Sequence, residues 1–194
     1  MTTAAADVTA LRPVTVLYTM PKSIYLGMPG VDCWGEDRDA RLWPGGTPVV
    51  AHPPCRLWCK LRHFSTAPPE EKELARHAVR MVRECGGVLE HPMDSTLWPD
   101  QDLPPPGRSD NHGYTLAFPQ RWFGHVAEKM SWFYVVGVRP MDLPDITLVL
   151  GYATHQVRRL TRDKKKIPLG KGESSFTPPA LASWLVAVAR LTRR

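Results

Sequence analysis

At 194 residues the chain has room for one domain with a sizeable core, residues 1–194, and not for two independent ones. Hydrophobic residues make up 43% and charged residues 23%, which argues against extended disorder, while 20 prolines predict many loops and abrupt strand ends. The formal charge of +6 suits a phosphate-bearing partner, either nucleic acid or nucleotide. Four cysteines are too few for a disulfide scaffold, and the opening MTTAAADVTALRP has no basic-then-apolar signal pattern. No apolar run reaches the roughly 20 residues of a membrane helix. A reduced, soluble, cytoplasmic protein without a membrane partner is the expectation.

The first predicted element is the β-rich VTVLYTM, Val14 to Met20, stopped by Pro21. VDCWGEDRDAR begins as a second short strand, and TPVVAHPP reads as a third that runs straight into two prolines. STAPPEEKELARHAVRMVRECGG then predicts a helix. Ser65 or Thr66 would cap it, the prolines would pre-set its first turn, and Gly86-Gly87 would end it. Leu74, Ala78, Met81, Val82 and Cys85 form its expected inward stripe. GVLEHP follows as a strand, so residues 48 to 92 read strand, helix, strand. Such a unit makes a right-handed crossover between parallel strands, which places both strand ends on one edge of the sheet. Open α/β sheets bind ligands at those carboxyl ends. Cys55 and Glu90 are therefore expected to face one pocket.

Residues 93 to 113 predict a proline-rich loop over that edge, anchored by Trp98 and suited to act as a lid. YTLAFPQRWFG and MSWFYVVGV read as a paired antiparallel extension of the sheet, with Trp122, Phe123, Trp132, Phe133 and Tyr134 as core rather than base-stacking platforms. ITLVL predicts another short strand. Seven basic residues fall between Arg158 and Lys171, and TPPALASWLVAVARLTRR predicts a capped final helix with a stripe of Leu181, Leu185, Val188 and Leu191. The expected fold is α/β, a Rossmann-like three-layer sandwich whose sheet is mostly parallel with an antiparallel extension.

Three stretches carry chemistry in order along the chain: HPPC (52–55), VLEHP (88–92) and FPQRWFGHVAEKMSWFYVVG (118–137). Together they resemble the Pro-Cys, Glu-Asn-Val and later Gln and Arg-x-Arg elements of the cytosine-5 DNA methyltransferases. The resemblance spans roughly residues 48 to 138. It implies that Cys55 adds as a thiolate to carbon 6 of a pyrimidine, making carbon 5 nucleophilic towards an electrophile before elimination releases the cysteine. It also implies that Glu90, kept protonated by burial, hydrogen-bonds the ring nitrogen at position 3. His52, Pro54, Arg56, His91, Gln120 and Lys129 would line the substrate site.

The departures shape the expectation equally. Arg56 stands for the family's Gln after the cysteine, His91-Pro92 for Asn-Val, and Lys129 alone for its paired arginines. The turn after the first strand has only Gly27 and Gly30, in no recognisable S-adenosylmethionine fingerprint, so the cofactor is left open. Asp32, Glu36, Asp37 or Asp39 would hold a ribose hydroxyl, or else form a solvated turn. Too few residues separate Gly137 from Thr177 for a target-recognition domain. The resemblance thus implies a shortened phage or prophage enzyme of a bacterial host cell, modifying a pyrimidine base of DNA or of a nucleotide by group transfer or substitution at carbon 5.

Other readings stand beside it. An amino-group DNA methyltransferase places Pro-Pro after its fourth strand, but with Asp or Asn where His52 stands here. A non-catalytic module would use the scaffold to hold nucleic acid or a protein, with Arg158, Arg159, Lys164, Lys165 and Lys166 as phosphate contacts. His52, Cys55, Cys59 and His63 contain zinc-ligand types, yet the spacing fits no standard finger or ribbon, so no metal is expected. Cys33 and Cys85 read as core.

Overall fold

The computed structural model describes residues 11–156, 165–170 and 172–194. In chain order the strands are β1 (Val14–Thr19), β2 (Val31–Gly35), β3 (Val49–Ala51), β4 (Gly87–Pro92), β5 (Gly113–Pro119), β6 (Met130–Val136), β7 (His155–Gln156) and β8 (Ile167–Pro168). The α-helices are α1 (Lys72–Cys85), the single turn α2 (Leu97–Asp100) and α3 (Pro179–Arg190). Six strands form one sheet in the order β2-β1-β3-β4-β6-β5. β1, β2, β3 and β4 run parallel, and β6 is antiparallel to both β4 and β5.

Alternation along the strands builds a core on each face of the sheet. Val14 and Val16, Val50, Val88, and Phe133 and Val135 point to the face covered by α3 through Leu181, Leu185 and Val188. Leu17, Val49 and Ala51, Leu89, and Tyr134 and Val136 point to the face covered by Ala75, Ala78, Val79 and Val82 of α1. Helix, sheet and helix make a Rossmann-like three-layer sandwich. Each fully buried Val or Leu stabilises it by about 1.5–3 kcal/mol. Among the described residues no helix is long and apolar enough to cross a membrane.

The α1 crossover works as the sequence predicts at its end and differently at its start. Gly86 closes the helix with φ +75, and Gly87 opens β4 with φ +118. A Cβ on Gly87 would lie 2.0 Å from the Val49 carbonyl oxygen, so only glycine permits β3 and β4 to pair there. Neither Ser65 nor Thr66 caps the helix. Ser65 turns back to accept from the Ala67 amide, and a 3-10 turn at Pro69–Glu71 leads into Lys72. Proline cannot donate within a helix, so the two prolines postpone its start. The buried stripe also lies one position round from the expected one: Ala75 and Val79 are fully buried, whereas Leu74, Met81 and Cys85 remain partly exposed.

Further expectations change. Residues 146–150 form no strand; the Val149 amide donates to the Trp122 carbonyl, the Leu150 carbonyl accepts from Arg121, and Leu150 is 86% exposed. β-branched residues make a strand only where a neighbour accepts their ladder. α3 has Pro179 in its first turn but no side-chain cap, and Leu191 lies outside the stripe at 43% exposure. The segment 93–113 is pinned rather than lid-like. Trp98 is buried, its Nε1 donates to Thr115 Oγ1 at 3.0 Å, and Thr115 Oγ1 donates to the Pro104 carbonyl at 2.6 Å. Of the aromatics, Phe123, Phe133 and Tyr134 are buried, Trp132 is half-buried, and Trp122 is exposed while stacking on Phe118. Cys33 and Cys85 are only partly buried at the core margins.

Candidate active site

β1 lies between β2 and β3, so the chain leaves it in one direction and returns on the other side. Ligand crevices of open sheets form at such a switch point, beyond the carboxyl ends of the strands. β3 is only three residues long because Pro53 and Pro54 have no amide to continue its ladder; the His52 amide makes the last such bond, to the Leu17 carbonyl at 3.1 Å. β4 pairs directly with β3, so Glu90 emerges beside the same exit. Chain reversal by β6 then brings Ser131 and Phe133 to the face that Glu90 occupies.

Glu90 is the centre of a hydrogen-bonded cluster. His52 Nδ1 stands 3.1 Å from its Oε2, while Ser131 Oγ and Gln120 Nε2 donate to its Oε1 at 2.5 and 2.9 Å. The side chain is 12% exposed. Burial alone would raise this carboxyl, but the hydrogen bond from His52, the charge of Lys129 and the Ser131 hydroxyl outweigh it and hold the group down at about 2. The expected protonated Glu90 is therefore corrected: it is a carboxylate that accepts three donors. Since a carboxylate only accepts, the hydrogen facing it sits on His52 Nδ1. The opposite ring nitrogen, Nε2, is 2.9 Å from the hydroxyl of Tyr25, a buried residue of the 3-10 turn Ile24–Gly27.

Cys55 opens a single turn in which its carbonyl accepts from the amides of Trp58 and Cys59, both at 2.9 Å. The turn is fixed from outside. Buried Trp58 lies under the cations of Lys72 and Arg76, its carbonyl receives the Thr96 amide, and Lys60 pairs with Asp94 at 2.7 Å. Burial pushes the Cys55 thiol up to about 11; Cys59 and Glu90 add to the rise, and Lys129 opposes it. Lys129 in turn is held below its usual range by burial, against the charges of Glu90 and Cys55. β3 ends at Ala51 beside β4, and β6 opens opposite Pro92, the last residue of β4, so the segments carrying the three groups meet at one edge of the sheet. Lys129 has φ +38, a left-handed conformation that a side chain adopts only where its surroundings impose it, and donates to the Phe176 carbonyl at 3.1 Å.

Of the residues expected to line the site, His52, Gln120 and Lys129 join Cys55 and Glu90, and Pro54, half-buried, directly precedes Cys55. Two do not. Arg56 is exposed and forms a fork with Glu71 at the start of α1. His91, one residue along β4, points to the opposite face, where its Nδ1 lies 2.7 Å from Ser95 Oγ. Burial lowers its imidazole to about 4. Of the basic stretch, Arg158, Arg159 and Lys164 fall outside the described residues; Lys165 and Lys166 precede β8. Among the described residues no group of three or more His, Cys, Asp or Glu could hold a metal ion.

Tyr25 and Ser131 belong to the cluster without having been singled out in the sequence. Ser131 is a lone polar residue in an aromatic run, which is a readable signal. Tyr25 carries none, because its contact with His52 spans 27 residues.

The residues after β1 do not fit a cradle for S-adenosylmethionine. Tyr18, with φ +64, occupies the strand exit; Gly27 ends a 3-10 turn; Gly30 lies at the other end of the strands, where the Val14 amide donates to its carbonyl. Of the acidic cluster, Asp32 is taken by Trp34 Nε1 and Arg38, and Asp39 by Arg41. No family model, curated protein or solved structure matches the chain.

Proposed function

We propose that the chain is a pyrimidine-base-modifying enzyme of DNA or of pyrimidine nucleotides, acting through an adduct between Cys55 and carbon 6 and group transfer or substitution at carbon 5. One observation supports this most: Cys55, Glu90 and Lys129 gather at the adjoining carboxyl ends of β3 and β4, in range of one another's charge. A thiol, a fixed hydrogen-bonding carboxylate and a cation are the groups that such an addition uses. Cys55 is the nucleophile. Glu90, locked by His52, Gln120 and Ser131, orients the ring through its nitrogen edge, and Lys129 holds the negative charge that addition sends into the ring.

The high thiol value means that Cys55 is protonated at rest and reacts only when the bound substrate and Lys129 favour its thiolate. The same observation favours a second reading, a module that binds nucleic acid or protein without covalent chemistry. In either case Arg158, Arg159, Lys164, Lys165 and Lys166 are the proposed phosphate contacts, and binding through them weakens with salt.

Mass spectrometry of nucleosides from the DNA and nucleotide pools of cells making the protein tests the enzymatic reading. A new carbon-5-substituted pyrimidine that vanishes with Cys55→Ala supports it. A binding module leaves no such nucleoside, and its binding is indifferent to Cys55→Ala.

A further inference from the structure

We propose that the base this site takes is a uracil-type ring, with a hydrogen on N3 between two carbonyls, and not neutral cytosine. The inference rests on the proposed pyrimidine site and names its substrate class.

A carboxylate offers about four lone-pair positions. At Glu90, Oε1 already receives Gln120 Nε2 and Ser131 Oγ, and Oε2 receives His52 Nδ1. Gln120 Nε2 can only donate, so Oε1 accepts there, and because the carboxyl is held ionised by its partners Oε2 accepts from His52 as well. One acceptor position is left, on Oε2, in a side chain that is 12% exposed. Gln120 Oε1, in a residue 1% exposed, is also an acceptor without a partner. On the donor side, the Lys129 ammonium gives one hydrogen to Phe176 and has two more.

A ring entering here must therefore bring an N–H to Glu90 and an acceptor to Lys129. Uracil does both, through N3–H and a flanking carbonyl. Neutral cytosine offers its amine to Gln120 Oε1, but turns the N3 lone pair towards the Glu90 carboxylate. A charged group decides against a neutral one, because hydrogen bonds to ions are about twice as strong as neutral pairs.

The proposed chemistry agrees. When the Cys55 sulfur bonds to carbon 6 of uracil, the carbon 5–carbon 6 π bond breaks, its electron pair ends on O4, and the thiol proton passes to solvent. An ammonium can hold that oxygen. Addition to cytosine loads N3 instead and needs a proton there, which Glu90 does not have to give.

The test is calorimetric titration of the full chain with dUMP and dCMP, and with the single-stranded hexamers of deoxyuridine and deoxycytidine, at pH 7.5. Uracil ligands should bind at least about tenfold more tightly, since a site built around a buried polar group rejects a ring that leaves it unpaired. Acidification should tighten cytosine binding alone, as its N3 takes up a proton and becomes a donor; this needs no variant. Glu90→Gln, whose amide can donate to N3, should bring the two within about threefold. Equal or tighter binding of cytosine at pH 7.5 overturns the inference while leaving the pyrimidine site standing, and binding of neither overturns both. Cys55→Ala should keep the uracil preference, so the inference survives failure of the covalent mechanism.

Discussion

His52 Nδ1 and Glu90 Oε2 stand 3.1 Å apart across the adjoining exits of β3 and β4, and through that contact the second half of the crossover unit is tied to the first. Removing the carboxylate strands three donors at once. Glu90→Ala should cost about 3–5 kcal/mol, the usual penalty for breaking a buried pair. Glu90→Gln should cost about 1–3 kcal/mol, because one amide oxygen still accepts. Urea titrations at pH 7 measure both.

Acid stability follows from the same group. Its carboxyl is lowered from 4.5 to about 2 on folding, so the unfolded chain takes up the proton first. The contribution is fully present above pH 4.5 and is lost as the pH falls towards 2. It amounts to something on the order of 3 kcal/mol. The stability gap between wild type and Glu90→Gln should narrow across that window, and parallel curves would show that Glu90 does not titrate as described.

His91 acts in a higher range. Burial lowers its imidazole from 6.5 to about 4, so the unfolded chain again binds the proton first. Its contribution is complete above pH 6.5 and is lost as the pH falls towards 4. His91→Gln should be less stable at pH 7 and should show a smaller fall between 6.5 and 4 than wild type by thermal melting, the remainder coming from His77 and His125, which burial also lowers.

Trp98 and Gly87 test the packing. Trp98→Ala should destabilise by about 3–5 kcal/mol, as large-to-small changes of buried tryptophan do, and should make the segment 93–113 susceptible to protease. Gly87→Ala forces a methyl group onto the Val49 carbonyl and should leave little folded protein. A folded Gly87→Ala with normal stability would contradict the pairing of β3 with β4.

Cys55 should be slow to alkylate. With its thiol near 11, the rate of iodoacetamide modification in a Cys59→Ser background should keep rising well past pH 9. Lys129→Met should slow it further, because the ammonium opposes the rise. Saturation near pH 7 would indicate a thiolate already formed at rest.

The parts of the fold readable in the sequence are those where local chemistry and tertiary demand agree. Pro53-Pro54 ends β3, Gly86-Gly87 ends α1, and the aromatic alternation of β5 and β6 survives intact, because each is enforced by the residues themselves. Residues 146–150 misled because strand propensity is realised only beside a partner. Within the site, the approach of Cys55 and Glu90 to one edge of the sheet was legible from a cysteine just past β3 and a glutamate in the second half of β4. The ionisation of Glu90 was not, because it depends on Ser131, Gln120 and Lys129, which reach it only when β6 folds back. His91 and Arg56 were misplaced for a related reason. One step along a strand reverses the face, and an exposed arginine goes to the nearest carboxylate, here Glu71.

The central claim is that Cys55 adds to carbon 6, and hydrogen exchange at carbon 5 reads that step without any electrophile. Addition makes carbon 5 basic, so a proton from solvent enters there and elimination releases either hydrogen. The protein should be incubated in deuterium oxide with dUMP and with deoxyuridine hexamer, and the carbon-5 hydrogen followed by proton NMR. Exchange far above the buffer rate, abolished in Cys55→Ala and slowed at least about tenfold in Lys129→Met, is the predicted result. Exchange at the buffer rate with these and the corresponding cytosine ligands, or exchange undiminished in Cys55→Ala, would contradict covalent catalysis by this site.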